Sequence, residues 1–151
     1  YTSRVSALPS DITSRSGIAG CRMSAAQYLS LGPTEQRFEL IDGVVVMSPS
    51  PSDTHQRILR LIQRQLEYFI DDHPGFDYLP DVDFRLSESK VYTPDIACFS
   101  PGRLPAGERD VSVPPDLVIE LLSPSTRAFD LTTKRDDYEA FGVQEYWAID
   151  S

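Results

Sequence analysis

Nothing in this chain is built to cross a membrane or to be stapled by disulfides. No apolar run approaches the roughly 18 residues that a bilayer span requires, and no basic-then-apolar opening marks a secretory leader. Only two cysteines occur among 151 residues. Cys21 and Cys98 have neither zinc-site nor redox-pair spacing, so both read as reduced, small hydrophobic side chains of a cytoplasmic protein. Positive charge is scarce as well. Fourteen Lys and Arg stand against 23 Asp and Glu, a net charge of −9. That balance argues against a sequence-independent coat on DNA, which needs a basic surface. It leaves room for an enzyme acting on nucleic acid, because acids gathered at a metal site add to the negative total and the ion inverts the local balance.

What is present is an ordinary globular composition, 40% hydrophobic and 25% charged, in a chain long enough for one domain with a real core. Residues 1–22 carry Ser, Thr, Gly and Pro without a sustained period and read as a tail or arm. Residues 23–151 read as the folded domain. The chain opens on Tyr1 and stops at Asp150-Ser151, directly after a strand-like run, so a trimmed start and a missing C-terminal end are expected.

Local signals order the domain. Ser24-Ala25-Ala26-Gln27 is a capping box opening a short helix that Gly32-Pro33 ends. Phe38–Ile41 and Val44–Met47 flank Asp42-Gly43, a hairpin with a two-residue turn. Ser52 or Asp53 caps a helix running to about Asp72, with Ile58, Leu61, Ile62, Leu66, Phe69 and Ile70 as its apolar stripe. A third strand is expected over Asp77–Leu86 and a fourth over Val91–Phe99, then a polar loop over Pro101–Pro115. Leu117–Leu122 is the central strand, a turn follows at Ser123–Thr126, a helix runs from about Asp130 to Phe141, and Glu145–Ile149 is the last strand. The fully apolar central strand implies cover on both faces. The expected class is therefore α/β (α+β), a mixed β-sheet flanked by helices.

Chemistry enters with Glu120, an acid in the middle of that driest strand. An unpaired buried carboxylate costs several kcal/mol, so a cation should wait for it. Asp95 lies in the preceding strand-like run, and two carboxylates on neighbouring strands suit a hard cation and metal-assisted hydrolysis. On the last helix Leu131, Lys134, Tyr138 and Phe141 share one face, which puts an ammonium inside an apolar stripe packed back over the Glu120 strand. Glu39 alternates against Phe38 and Leu40 on the first hairpin strand and faces away from them, a position from which it could complete a carboxylate cluster or line a solvated strand face. His55 falls in the first turn of the long helix, about 20° from the direction of Ile62, with its ring towards the core. Arg57, Arg60 and Arg64 line the opposite face of that helix, a pattern more often solvated than bound.

Pro94-Asp95, Glu120, Leu121–Thr126, Lys134, Tyr138 and Gly142–Trp147 resemble the Uma-type family of restriction-endonuclease-like proteins, within the PD-(D/E)XK nuclease superfamily; Arg37–Gly43, Ser48-Pro49 and His55 match it too. The resemblance spans about Met23 to Asp150 and implies a restriction-endonuclease-like fold. One departure stands out: the usual lysine lies two residues after the glutamate, where this chain has Leu122. The resemblance implies that Lys134 fills that place, with Arg135 as the alternative. It implies an Mg²⁺-dependent (or Mn²⁺-dependent) endonuclease hydrolysing phosphodiester bonds of DNA. Asp95 and Glu120 would hold the metal, the Leu121 carbonyl would be a candidate third donor, Lys134 and Glu39 would complete the catalytic set, and His55 would stand behind the ligands. The acidic balance disfavours DNA binding by one copy alone, and a homodimer sharing one groove would meet that difficulty. Two other readings are open: a non-catalytic nucleic-acid-binding or dimerisation module, in which Lys134 pairs with Glu120 and leaves no room for an ion, and hydrolysis of RNA instead of DNA.

Overall fold

The structure, a computed structural model, describes residues 17–32, 34–104 and 110–150. Most of the expected tail, Pro33 and the middle of the Pro101–Pro115 loop lie outside the described residues. The described residues fall into two compact units, one running to Ser50 and adding Phe84–Thr93, the other made of Pro51–Asp83 and Pro94 onwards.

In the first unit, helix α1 (Ala25–Ser30) starts at the Ser24–Gln27 capping box, with the Gln27 N–H donating to Ser24 Oγ at 3.2 Å. Strands β1 (Phe38–Ile41) and β2 (Val44–Met47) form the expected hairpin. Asp42 and Gly43 both take positive φ, 49° and 77°, as a two-residue turn matching strand twist demands. The unit's strands run in the order β2-β1-β5-β4, with β4 at Asp83–Ser87 and β5 at Lys90–Tyr92. Its core gathers Tyr28, Phe38, Leu40, Val45 and Val91, and Ile18 joins it from the N-terminal side. The Tyr28 hydroxyl, inside that core, donates to the Phe38 carbonyl at 2.8 Å.

The second unit holds helix α2 (Asp53–Asp72), capped by Ser52, whose Oγ accepts the His55 N–H at 3.1 Å. Its sheet has the order β3-β6-β8-β9, with β3 at Asp77–Pro80, β6 at Ile96–Phe99, β8 at Leu117–Leu122 and β9 at Glu145–Asp150. A short β7 (Asp110–Val111) falls within the expected loop. Strand β8 is interior as expected, antiparallel to β6 and parallel to β9. A parallel neighbour needs a long crossover, and the helical segment 127–141 supplies it. Ile119 and Leu121 pack with Ile96 and Leu59, and Ile58, Ile62 and Leu66 of α2 lie against them. By strand alternation, Glu120 points to the other face.

Three expectations need correction. Asp77–Leu86 is not one strand: β3 and β4 belong to different sheets, broken where Pro80 offers no N–H and Asp81 turns to φ 50°. Val91–Phe99 likewise splits at Thr93-Pro94-Asp95 into β5 and β6, so the described residues form two sheets where one was expected. On α2 the inward residues are His55, Ile58, Leu59, Ile62, Leu66 and Ile70, while Leu61 and Phe69 are exposed. Phe69 instead stacks on His73, ring centroids 3.9 Å apart.

Asp116 ties the entry of β8 to the end of β6. Its Oδ2 accepts the Ser100 N–H at 2.7 Å, and its Oδ1 meets Arg103, whose Nε donates to the Pro114 carbonyl. Burial alone would push this carboxyl up, but the Ser100 bonds and the Arg103 charge outweigh it and hold it below its ordinary value. A depressed folded-state pKa contributes stability above the unfolded value of about 4 and loses it as pH falls through the folded value. Asp116→Asn should therefore cost about 1–2 kcal/mol at pH 7, and the difference between urea melts of the two proteins should shrink as pH falls through the folded value of Asp116. Next to it, burial and the Asp116 charge push the Cys98 thiol up to about 11, which keeps it protonated and unreactive.

Candidate active site

The second unit brings four of the singled-out residues into one neighbourhood. The β6–β8 register pairs Ile96 with Ile119, and one further step brings Asp95 opposite Glu120. Asp95 sits just before β6, where Pro94 has ended the previous strand. Its Oδ2 accepts the Leu121 N–H at 2.7 Å, and His55 Nε2 lies 3.3 Å from its Oδ1. His55 thus turns inward from the first turn of α2, as its helical position predicts.

Glu120 meets Lys134, with Nζ 2.7 Å from Oε1. Asp95 is 2% exposed, Glu120 5% and Lys134 4%, so these charges act in a low dielectric where each must be compensated. The helix carrying Lys134 is not the continuous α-helix expected. It runs as α3 (Arg127–Phe129), a π-helical turn (Asp130–Lys134) and α4 (Arg135–Phe141), and ends on Gly142 at φ 110°. The inward residues are Asp130, Lys134 and Tyr138, while Leu131 is exposed. Leu131 was expected on that face, and the wider turn moves it off.

Asp130 is the residue that sequence reasoning missed. It is buried, its Oδ1 is 4.0 Å from Lys134 Nζ, and its Oδ2 accepts the Thr126 hydroxyl at 2.6 Å. Thr126 in turn meets Ser123 Oγ at 2.8 Å, and the Tyr146 hydroxyl donates to the Asp130 carbonyl at 3.0 Å. A signal was available: Asp130 stands four residues before Lys134, the spacing at which helical side chains meet. Arg135, the alternative lysine substitute, is exposed and bonds its neighbour Asp136.

Glu39 belongs to the first unit. It is buried on β1, and its Oε1 accepts the Thr93 N–H at 2.8 Å. Among the described residues no group of three His, Cys, Asp or Glu side chains is arranged as a cage for a metal. Two buried carboxylates are nonetheless a set that Mg²⁺ accepts, because it takes one or two carboxylates and keeps waters and substrate phosphates as its other ligands. No described helix is long and apolar enough to cross a membrane.

A family model described as "Uma2: Putative restriction endonuclease" matches residues 25–151. The chain belongs to the Uma2 family. This agrees with the resemblance carried by Pro94-Asp95, Glu120 and Lys134, and it places the Uma2 chain among nucleases. A solved structure described as a putative nuclease belonging to DUF820 from Anabaena variabilis ATCC 29413 is similar with a TM-score of 0.76 and 23% identity, over 85% of this chain and 74% of that one. At that identity the likeness establishes the mixed α+β fold of the Uma2 chain. No curated protein matches it.

Proposed function

We propose that this chain is a metal-dependent endonuclease that hydrolyses phosphodiester bonds of DNA. The observation that carries the reading is the burial of three charged residues around β8: Asp95, opposite Glu120 by strand register, Glu120 itself, and Lys134, whose Nζ lies 2.7 Å from Glu120. Carboxylates at that depth serve no packing purpose that Leu or Val would not serve better.

Asp95 and Glu120 are the residues that would hold Mg²⁺ or Mn²⁺. Such an ion, when bound, polarises a phosphate oxygen and makes water a better nucleophile at neutral pH. The rest is done by the chain. The Leu121 N–H and His55 fix the Asp95 carboxylate from two sides, so its orientation is set before substrate arrives. Lys134 offers an ammonium to the phosphate oxygens that gain charge at the transition state, and it orients the attacking water. Apolar cover by Ile58, Leu59, Ile62 and Leu66 of α2 on one face of the sheet, and the burial of Asp95, Glu120 and Lys134 themselves, keep bulk water from screening these charges. Glu39 enters the proposal through the family resemblance alone.

One observation favours the alternative of a non-catalytic binding module: Lys134 closes on Glu120 at 2.7 Å, and an ammonium alone can satisfy a buried glutamate. The two readings separate in one experiment. The protein is melted with and without Mg²⁺ or Mn²⁺ and incubated with plasmid DNA and with RNA. The nuclease reading expects a rise in Tm at millimolar ion, by mass action on the native state, and nicking of DNA. Asp95→Ala should lose both. Nicking that survives Asp95→Ala, or the absence of any ion-dependent shift in the unaltered protein, would sink the assignment.

A further inference from the structure

Helix α2 carries a charge pattern that its own stability does not explain. Between Thr54 and Leu66 it holds Arg57, Arg60 and Arg64 and no acid, while Glu67, Asp71 and Asp72 crowd its C-terminal part. The helix dipole favours the reverse, acids at the start and bases at the end. Arginines three and four residues apart also repel each other. At about 100° per residue the three fall within an arc of about 60°, on the side away from Ile58, Ile62 and Leu66. All three are exposed.

Their lack of partners is unusual in this molecule. Six other described bases meet a carboxylate, and a seventh, Arg37, donates to the Thr93 carbonyl. Among the described residues, Arg57, Arg60 and Arg64 make no ion pair and no side-chain hydrogen bond; Arg22 is the one other base without either. In a chain with 23 acids and 14 bases, three adjacent free arginines stand out. Gln56 and Gln63 add amide donors beside them, and a shallow concavity is lined by these two with Arg57, Arg60, Asp53 and Leu59.

We infer that this face of α2 is a docking track for the phosphodiester backbone of DNA flanking the scissile phosphate. Arginine suits the task because its planar guanidinium donates two parallel bonds to a phosphate. From Arg57 to Arg64 the axis advances about 10 Å, close to three nucleotide rises along one strand of a duplex. His55 ties the track to the site: it shares the first turn with Arg57 and turns inward to Asp95 while Arg57 turns outward. The inward His55–Asp95 contact and the outward arginines therefore occupy opposite sides of one helix. The inference rests on the nuclease reading for the polyanion's identity, and it explains how a chain of net charge −9 holds one.

The test measures binding of a fluorescent DNA duplex by the Glu120→Ala protein in EDTA, at salt concentrations from 20 to 200 mM, with and without R57Q/R60Q/R64Q. Each phosphate contact contributes about 0.9 to the slope of log Kobs against log salt. The triple variant should flatten that slope by about 2 to 3 and weaken binding at least about tenfold at low salt, while R22Q changes neither. A thermal melt checks that the exposed substitutions leave the fold intact. An unchanged slope, or no binding by the Glu120→Ala protein even at 20 mM salt, overturns the inference. Failure of the nuclease reading looks different: stripe-dependent binding would persist while the unaltered protein with Mg²⁺ leaves DNA uncut.

Discussion

Glu120→Ala should lower the rate of DNA cleavage by at least about a thousandfold and remove the Mg²⁺-dependent rise in Tm, while the protein still folds. Three facts combine to make this effect large. Glu120 is one of only two carboxylates proposed to hold the ion, so its loss halves the protein's ligand set. Its side chain projects from an interior strand paired on both sides, so its backbone position is held firmly. It is also the residue on which Lys134 closes, so its removal leaves the ammonium with Asp130 as its described carboxylate, 4.0 Å away. Glu120→Gln keeps the shape and loses the charge, and it should behave like the alanine variant in cleavage. Activity in Glu120→Gln equal to that of the unaltered protein would show that the carboxylate is there to pair with Lys134 and not to bind an ion.

Lys134→Met should produce the largest loss of stability, about 3–5 kcal/mol, because removing one partner leaves a buried charge uncompensated. Methionine fills much of the same volume, so the loss measures charge and not a cavity. Combining Lys134→Met with Glu120→Gln should recover a good part of it, since the double variant buries neither of the two charges. A double-mutant cycle in urea reads the coupling directly, and pairs in contact give up to about 3 kcal/mol. Additive losses would mean that Glu120 and Lys134 do not interact in solution. Cleavage should vanish in Lys134→Met at all metal concentrations, measured at a temperature where its melt shows the variant still folded, so that a role in the reaction is separated from a role in folding.

Much of this architecture was legible because its signals are local. The Ser24–Gln27 box, the Asp42-Gly43 turn, the Ser52 cap and Gly142 each announce a backbone conformation through one or two residues, and the structure places all four as expected. Glu120 stood out because an acid in Leu117–Leu122 contradicts its surroundings. The failures came where the information is not local. Alternation continues through Pro80-Asp81 and through Thr93-Pro94, and no hydrophobic pattern records that a chain has crossed from one sheet to another. The α2 stripe was drawn too wide, because Leu61 and Phe69 sit at the edge of a helical face and only the neighbouring sheet decides which edge is covered. Asp130 escaped notice because it stands at the expected start of the last helix, where an acid is ordinary, although its spacing of four from Lys134 already placed the two side chains together.

That turn bears on how such a site drifts over time. A π-turn is the trace of one extra residue wound into an α-helix, so Lys134 reaches Glu120 by the phase of its helix and not by a count of residues from the acid. A lysine on the strand itself has one usable address, two residues along, because alternation forbids the odd positions. On a helix each insertion or deletion turns the side chain by about 100°, and a compensating bulge restores it. A buried acid and its ammonium can therefore stay in contact while the number of residues between them changes. A search for an acid and a lysine at fixed spacing would pass over this chain.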